Sequence, residues 1–359
     1  MHLSSLKKIF IMGITAALMT CSLSCFAQKI GVSLPNPDRP RFSLDGEVIK
    51  SELEADGQEV IVKCGDRTAE TQIKNIEELI ANDCNYLVIV PVDGNALGDV
   101  LNKAKEKNIT VISYDRLIMN SDAVKYYATF DNYKVGEIMA EYLVKKLNLT
   151  QSGGEPKYIE FFSGDKNDSN VESLWEGSMK ILKPYLEQGR LICRSSESTL
   201  DTTHTLNWEK DEASRRMTQL IDSMNYGPGE GKNRLDAVLC HSDGLAIGVI
   251  EALYKNGEYR KDNFPLVTGQ DCSIFSLKYI KRGMQAMSVF KDARVLAYAV
   301  SNMIMQKING EEVQVNNTDT YTNGNSYIPT LLCSPKFVDR DNMQEIIIES
   351  GFYDESELK

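Results

Sequence analysis

Histidine is nearly absent from this 359-residue chain: three residues, one of them at position 2. So few imidazoles leave little room for His-based metal or triad chemistry. Basic excess is missing as well. Forty Lys+Arg stand against 51 Asp+Glu, a formal charge of −11, and so acidic a surface repels phosphate backbones and argues against nucleic acid as a partner. No Cys-x-x-Cys pair occurs, so the cysteines beyond the N-terminal segment (Cys64, Cys84, Cys193, Cys240, Cys272, Cys333) have no zinc spacing. Buried thiols are the expected state, although an exported compartment would also permit disulfides. G-x-S-x-G, H-E-x-x-H and G-x-G-x-x-G are all missing. Gly227-Pro228-Gly229-Glu230-Gly231-Lys232-Asn233 only imitates a phosphate loop. It has one residue too few between the outer glycines, puts Asn233 where Ser or Thr would hold magnesium, and follows a helix, so it reads as a surface turn.

What is present is an ordinary globular composition, 42% hydrophobic and 25% charged, long enough for two domains. At the N-terminus Lys7 and Lys8 precede an apolar run over 9–23 that ends at Ser24-Cys25-Phe26-Ala27. Basic, apolar and small-residue regions in that order describe a secretory signal peptide over 1–27. The run falls short of the roughly 20 apolar residues a spanning helix needs. An exported, periplasmic protein beginning at Gln28 is expected. A lipid-anchored form through Cys21 or Cys25 is the alternative, with a poor lipidation context at both.

Apolar runs then alternate with amphipathic stretches. Strands are expected at 29–35, 59–65, 86–93, 109–115 and 126–132, with helices over 42–55, 68–81 and 96–107. The alternation restarts with a helix over 135–147 and a strand from 157. A helix over 171–187 follows, then strands from 191, 235 and 265 and helices over 212–224 and 245–255. Near-continuous apolar strands between helices indicate parallel sheets covered on both faces. Two such series predict an α/β protein of two similar doubly wound lobes.

Ligands of such sheets bind beyond the carboxyl ends of the strands, where Asp93, Asp115, Asp243 and Asp271 stand. Any one could be a helix N-cap. Four of them, with Arg and Asn neighbours, read as a polar site between lobes, because ionised Asp accepts and Arg donates the hydrogen bonds a sugar hydroxyl needs. His241 has no nucleophile beside it and reads as packed or solvated. A glycosidase-type carboxylate pair would need a protonated acid that sequence does not reveal. Binding is therefore favoured over catalysis.

Tyr114-Asp115-Arg116-Leu117-Ile118, Tyr127-Ala128-Thr129-Phe130-Asp131-Asn132, Val135-Gly136, Lys183-Pro184-Tyr185, Trp208, Gly269-Gln270-Asp271, Phe290-Lys291-Asp292, Asn317-Thr318-Asp319-Thr320-Tyr321 and Gly351-Phe352-Tyr353 follow in order along the chain. This series resembles the xylose-binding and multiple-sugar-binding periplasmic proteins of ABC transporters, from about residue 29 to the C-terminus. The resemblance implies a periplasmic binding protein type I fold, with two lobes joined by a three-crossing hinge near Asn132, Phe290 and Asn325. One lobe would be 28–132 plus 290–325, the other 133–289 plus 326–359. It implies a monosaccharide site of Arg41, Phe42, Asp115, Arg116, Asp168, Asn170, Trp208, Asp243, Asp271 and Lys291, with no metal, no cofactor and no catalysis. An ABC transporter permease would be the partner, or, in a sensing role, a chemoreceptor or sensor kinase. Phe42 and Trp208 could cover the C–H face of a pyranose at low entropic cost. Trp175 reads as core. Phe42 stands where relatives often carry Trp, Ser242 where they often carry Asn or a larger residue, and the 165–170 loop differs from their Ser-Pro-containing version. Glucose-, galactose- and arabinose-type ligands thus fit as well as xylose.

Overall fold

A computed structural model describes residues 27–36, 40–151, 153–260 and 262–359. The segment assigned to a signal peptide, including Cys21 and Cys25, lies outside the described residues apart from Ala27. Strands β1 (Lys29–Leu34), β2 (Glu59–Cys64), β3 (Tyr86–Ile89), β4 (Thr110–Tyr114) and β5 (Val124–Phe130) alternate with helices α1 (Pro40–Ala55), α2 (Ala69–Ala81) and α3 (Gly98–Glu106). The second series comprises α4 (Asn132–Lys146), β6 (Lys157–Phe162), α5 (Asn170–Glu187), β7 (Leu191–Ile192), the short α6 (Leu200–Thr203), α7 (Lys210–Ser223), β8 (Ala237–Cys240), α8 (Asp243–Lys255), β9 (Leu266–Val267) and α9 (Ile274–Arg282). β10 (Ser288–Phe290), α10 (Ala293–Ile308), β11 (Thr330–Cys333) and β12 (Lys336–Val338) complete the chain.

Six strands pair in the order β11-β5-β4-β3-β1-β2 and four in the order β7-β6-β8-β9, with every pairing parallel. Each sheet carries an apolar layer on both faces, as parallel sheets require. Ile30, Val32 and Ile112 pack with Leu53 of α1 and Val300 of α10, whereas Leu87, Ile89 and Val111 pack with Leu79 of α2 and Leu101 of α3. Gly31 permits the second layer to close, since a Cβ there would stand 2.8 Å from a Leu87 methyl carbon. In the other lobe Phe162 and Val238 meet Met217 and Val249, while Ile159 and Phe161 meet Leu143 and Leu182.

The chain leaves the six-stranded sheet after β5, and α4 packs on α5 of the second lobe. It returns after β10, whose successor α10 packs on α1 and β5. The third crossing expected near Asn325 falls later. Thr330–Cys333 pairs with Tyr127–Phe130 in the first lobe's sheet, and only β12, antiparallel to β10, belongs with the second. The correction has a simple cause: a four-residue strand at a sheet edge has no flanking alternation that would mark it in sequence. The six cysteines among the described residues are free thiols; Cys64 is exposed, and Cys84, Cys240, Cys272 and Cys333 are buried. Among the described residues no helix is long and apolar enough to cross a membrane. The glycine-rich segment 227–233 forms turns joined by a Tyr226–Asn233 bridge, as expected of a surface turn.

Candidate functional site

The four strand-end carboxylates are not the helix caps that a single Asp would suggest. α3 begins behind Leu97, α8 is capped by Ser242 and α9 by Ser273. Asp115 and Asp271 instead adopt left-handed backbone, φ 63° and 92°, as do Asn207 and Trp208 at 53° and 57°. Asp and Asn tolerate this conformation, whereas for Trp208 it is strained and persists because surrounding contacts impose it. At Asp115 the surrounding bonds are visible. Its N–H donates to the Ala128 carbonyl, and its own carbonyl accepts from the Tyr127 hydroxyl (2.9 Å), the Thr129 hydroxyl (2.8 Å) and the Asn170 amide (3.0 Å).

Two charged groups result, joined by one aromatic ring. In the first, Arg41, on the first turn of α1, donates from Nη2 to Asp115 Oδ1. Its Nη1 lies 3.6 Å from Asp271 Oδ1, and the Lys291 ammonium lies 3.4 Å from that same oxygen. Behind Arg41, one turn along α1, Asp45 lies 3.9 Å from Nε and accepts from the Tyr114 hydroxyl. In the second, Arg116 Nε is 2.8 Å from Asp168 Oδ2, which also accepts from the Trp208 indole N–H at 3.2 Å. Phe42 lies between the groups, its ring centre 5.8 Å from the Arg41 guanidinium and 5.9 Å from that of Arg116. Arg41, Asp115 and Arg116 come from the first lobe; Asp168, Trp208 and Asp271 come from the second.

Phe42, Arg116, Asp168 and Trp208 line a cavity of about 140 Å³, together with Asp93, Asp165 and Asn207 among others. Trp208 is fixed from behind: a Cβ on Gly164 would fall 2.0 Å from its ring, so the indole lies flat on bare backbone. Asp165 holds the strained turn by accepting from the Asn207 N–H and, at 2.8 Å, from the Asn167 N–H. Two buried polar atoms at this place, Arg41 Nε and Gln270 Oε1, make no hydrogen bond. Unsatisfied buried groups are rare in finished cores, and such atoms are able to pair with a polar ligand.

The electrostatics follow from burial and neighbours. Burial would raise Asp115, but the charges of Arg41, Lys291 and Arg116 outweigh it and hold the carboxyl down at about 2. Burial dominates at Asp45 and pushes it up to about 7 against the opposing charge of Arg41. Burial, then the Asp271 charge, likewise pushes Asp243 up to about 7. His241, enclosed in the second lobe, is pushed down to about 3 by burial, with Nε2 3.1 Å from the Ser178 hydroxyl and its ring edge-on to Trp175. It is a neutral, packed imidazole, and Trp175 is packed with it.

Two expected ligand residues face the protein instead. Asp243 accepts from the Gln285 amide (3.1 Å) and the Ser288 hydroxyl (2.8 Å) on Oδ1 and from the Ser273 N–H (2.6 Å) on Oδ2. Those bonds tie the start of α8 to the start of α9 and to β10, a supporting position. The Asn170 amide is likewise engaged, by Asp115, Tyr127 and Asn132. Asp45, Asp165, Asn207 and Gln270 were not singled out from sequence. Asp45 had a usable signal in its i+4 spacing from Arg41, and Asp165 stands at a strand end like the others. Gln270 stood within the Gly269-Gln270-Asp271 motif, and Asn207 had no signal. Among the described residues no cluster of His, Cys, Asp and Glu could hold a metal ion.

The model of the periplasmic binding protein domain matches residues 30–312. The chain is 37% identical over 334 residues to the multiple sugar-binding periplasmic receptor of Rhizobium radiobacter, covering 92% of each chain. It is 30% identical to the D-xylose-binding periplasmic protein of Escherichia coli, covering 98% of this chain and 99% of that one. Among solved structures, an ABC transporter solute-binding protein from Clostridium phytofermentans with bound β-D-glucose is 43% identical, covers 92% of this chain and 100% of its own, and superposes with a TM-score of 0.87. With its two parallel sheets, its strand-end site and these relatives, this chain belongs to the periplasmic binding protein family, in its type I fold.

Proposed function

We propose that this protein binds one aldopyranose between its lobes and presents it to the permease of an ABC transporter. The observation that carries this reading is the bracket itself. Arg41, Arg116 and Lys291 alternate with Asp115, Asp168 and Asp271 from both lobes, beside the rings of Phe42 and Trp208. A pyranose offers hydroxyls that donate and accept in one plane and C–H bonds above and below it. Charge-assisted partners meet the first, and flat aromatics meet the second. Because both lobes supply contacts, sugar favours the closed arrangement, and the closed surface is what a permease would recognise. Asp115, ionised at any physiological pH, keeps its acceptor role throughout. The sugar leaves unchanged, so no catalytic group is required.

The relatives named above support an aldose, and the two sugars in their names, D-xylose and β-D-glucose, differ only by the C6 hydroxymethyl group. The protein would work outside the cytoplasmic membrane, as the periplasmic relatives do. A signalling role, with a chemoreceptor or sensor kinase reading the same closed form, is supported by the relative named a receptor. Calorimetric titration with D-xylose, D-glucose, D-galactose and L-arabinose tests the proposal. One-to-one binding of at least one of them, with the sugar recovered intact, is expected; no heat from any would refute it. Loss of uptake on gene deletion, against loss of sugar response alone, separates transport from signalling.

A further inference from the structure

Three consecutive residues of the first lobe, Asp115, Arg116 and Leu117, are matched by three consecutive residues of the second, Asp168, Ser169 and Asn170. Arg116 reaches Asp168 at 2.8 Å, a contact at the edge of the cavity. The outer two pairs lie behind it. The Leu117 N–H donates to the Ser169 hydroxyl at 2.9 Å, and the Asn170 Nδ2 donates to the Asp115 carbonyl at 3.0 Å. Asn170 Oδ1 accepts from the Tyr127 hydroxyl at 3.2 Å and from the Asn132 amide, at the first crossing, at 2.9 Å. Asn170 is 7% exposed, and neither Ser169 nor Asn170 lines the cavity beside Phe42 and Trp208; Ser169 faces a separate one with Glu172 and His204.

We infer that Ser169 and Asn170 form a latch that fastens lobe to lobe behind the sugar, so that they set how readily the cleft closes and not which sugar it accepts. The inference rests on the proposed sugar-binding function but concerns a different property of it. An amide can make four hydrogen bonds; three of Asn170's are used, all with protein groups.

The two roles leave different signatures. A group that touches a hydroxyl discriminates between sugars that have it and sugars that lack it. A latch changes only the fraction of closed protein, and that fraction multiplies every affinity equally. Asn170→Ala should weaken the binding of D-glucose, D-xylose and 2-deoxy-D-glucose by the same factor, roughly tenfold, with their ranking unchanged. Ser169→Ala removes the Leu117 bond without touching Asn170 and should give a smaller but equally uniform loss, which keeps the test alive if Asn170→Ala folds poorly. A loss confined to some sugars would make Asn170 a sugar contact and overturn the latch; so would unchanged affinities. If the wild-type protein binds none of the sugars, the sugar reading fails, and small-angle scattering of the sugar-free proteins decides the latch by itself. A larger radius of gyration for Asn170→Ala supports it, and identical radii overturn it.

Discussion

Arg116 and Asp168 meet across the cleft with the guanidinium Nε 2.8 Å from the carboxylate, and that one oxygen also takes the Trp208 indole N–H. Both side chains are largely buried, 14% and 6% exposed. Truncating one member of such a pair leaves the other charge without a partner in a place water hardly reaches. Asp168→Ala should therefore weaken sugar binding by about 100-fold. Asp168→Asn keeps an acceptor for Trp208 and should lose less. Calorimetry on the two variants checks the order.

The ion pair at the rim provides the contrast. Arg67 and Glu209 also link the lobes, at 2.9 Å, but with side chains 49% and 42% exposed. Exposed pairs are worth about 0–1 kcal/mol. Glu209→Gln should change the affinity by less than about fivefold, and its effect should vanish at high salt. A loss as large as that of Asp168→Ala would contradict the ranking by burial.

Gly164 is required by the indole that lies on it. Gly164→Ala places a methyl 2.0 Å from the Trp208 ring; the ring must move, and the strained turn at Asn207 and Trp208 with it. In a Trp175→Phe background Trp208 is the sole tryptophan, because the chain has only two. Sugar should then shift the fluorescence of the parent and leave that of Gly164→Ala nearly unchanged, with affinity at least tenfold weaker. An unchanged sugar response would show that Trp208 lies away from the ligand.

Asp45 predicts how stability responds to pH. Its carboxyl is raised from 3.8 to about 7 in the folded protein, chiefly by burial. Between those values the folded state holds a proton that the unfolded state has released. Stability therefore falls as pH rises through that window and levels off above about 7. Asp243, raised in the same direction, adds to the slope. Asp45→Asn retains an oxygen for the Tyr114 hydroxyl and removes the titration. Urea unfolding from pH 5 to 8 should show a shallower decline for Asp45→Asn than for wild type, and equal slopes would refute the assignment.

The lobes were legible because each strand from β1 to β6 carries a run of apolar residues flanked by amphipathic helices, a pattern that local sequence expresses directly. The strand-end rule pointed to Asp115 and Asp271, the family resemblance pointed to Arg41, Arg116, Asp168, Trp208 and Lys291, and the structure gathers these seven into the two charged groups. Asn170 and Asp243 lie in the same neighbourhood, with their hydrogen bonds directed to protein groups. A short polar side chain beside a site serves ligand or scaffold equally well, and only the direction it points decides. β11 was missed because four residues at a sheet edge carry no period of their own.

The amino-acid sequence by itself determined the two parallel sheets, the acidic surface and the set of carboxylates and guanidinium groups that end the strands, since these depend on patterns within about a dozen residues. Tertiary structure alone decided that Arg41 bridges to Asp271, 230 positions away, that Trp208 lies on Gly164, and that Ser169 and Asn170 fasten one lobe to the other. Those contacts join segments whose only relation is the geometry of a chain that crosses between lobes three times, and no local pattern encodes it.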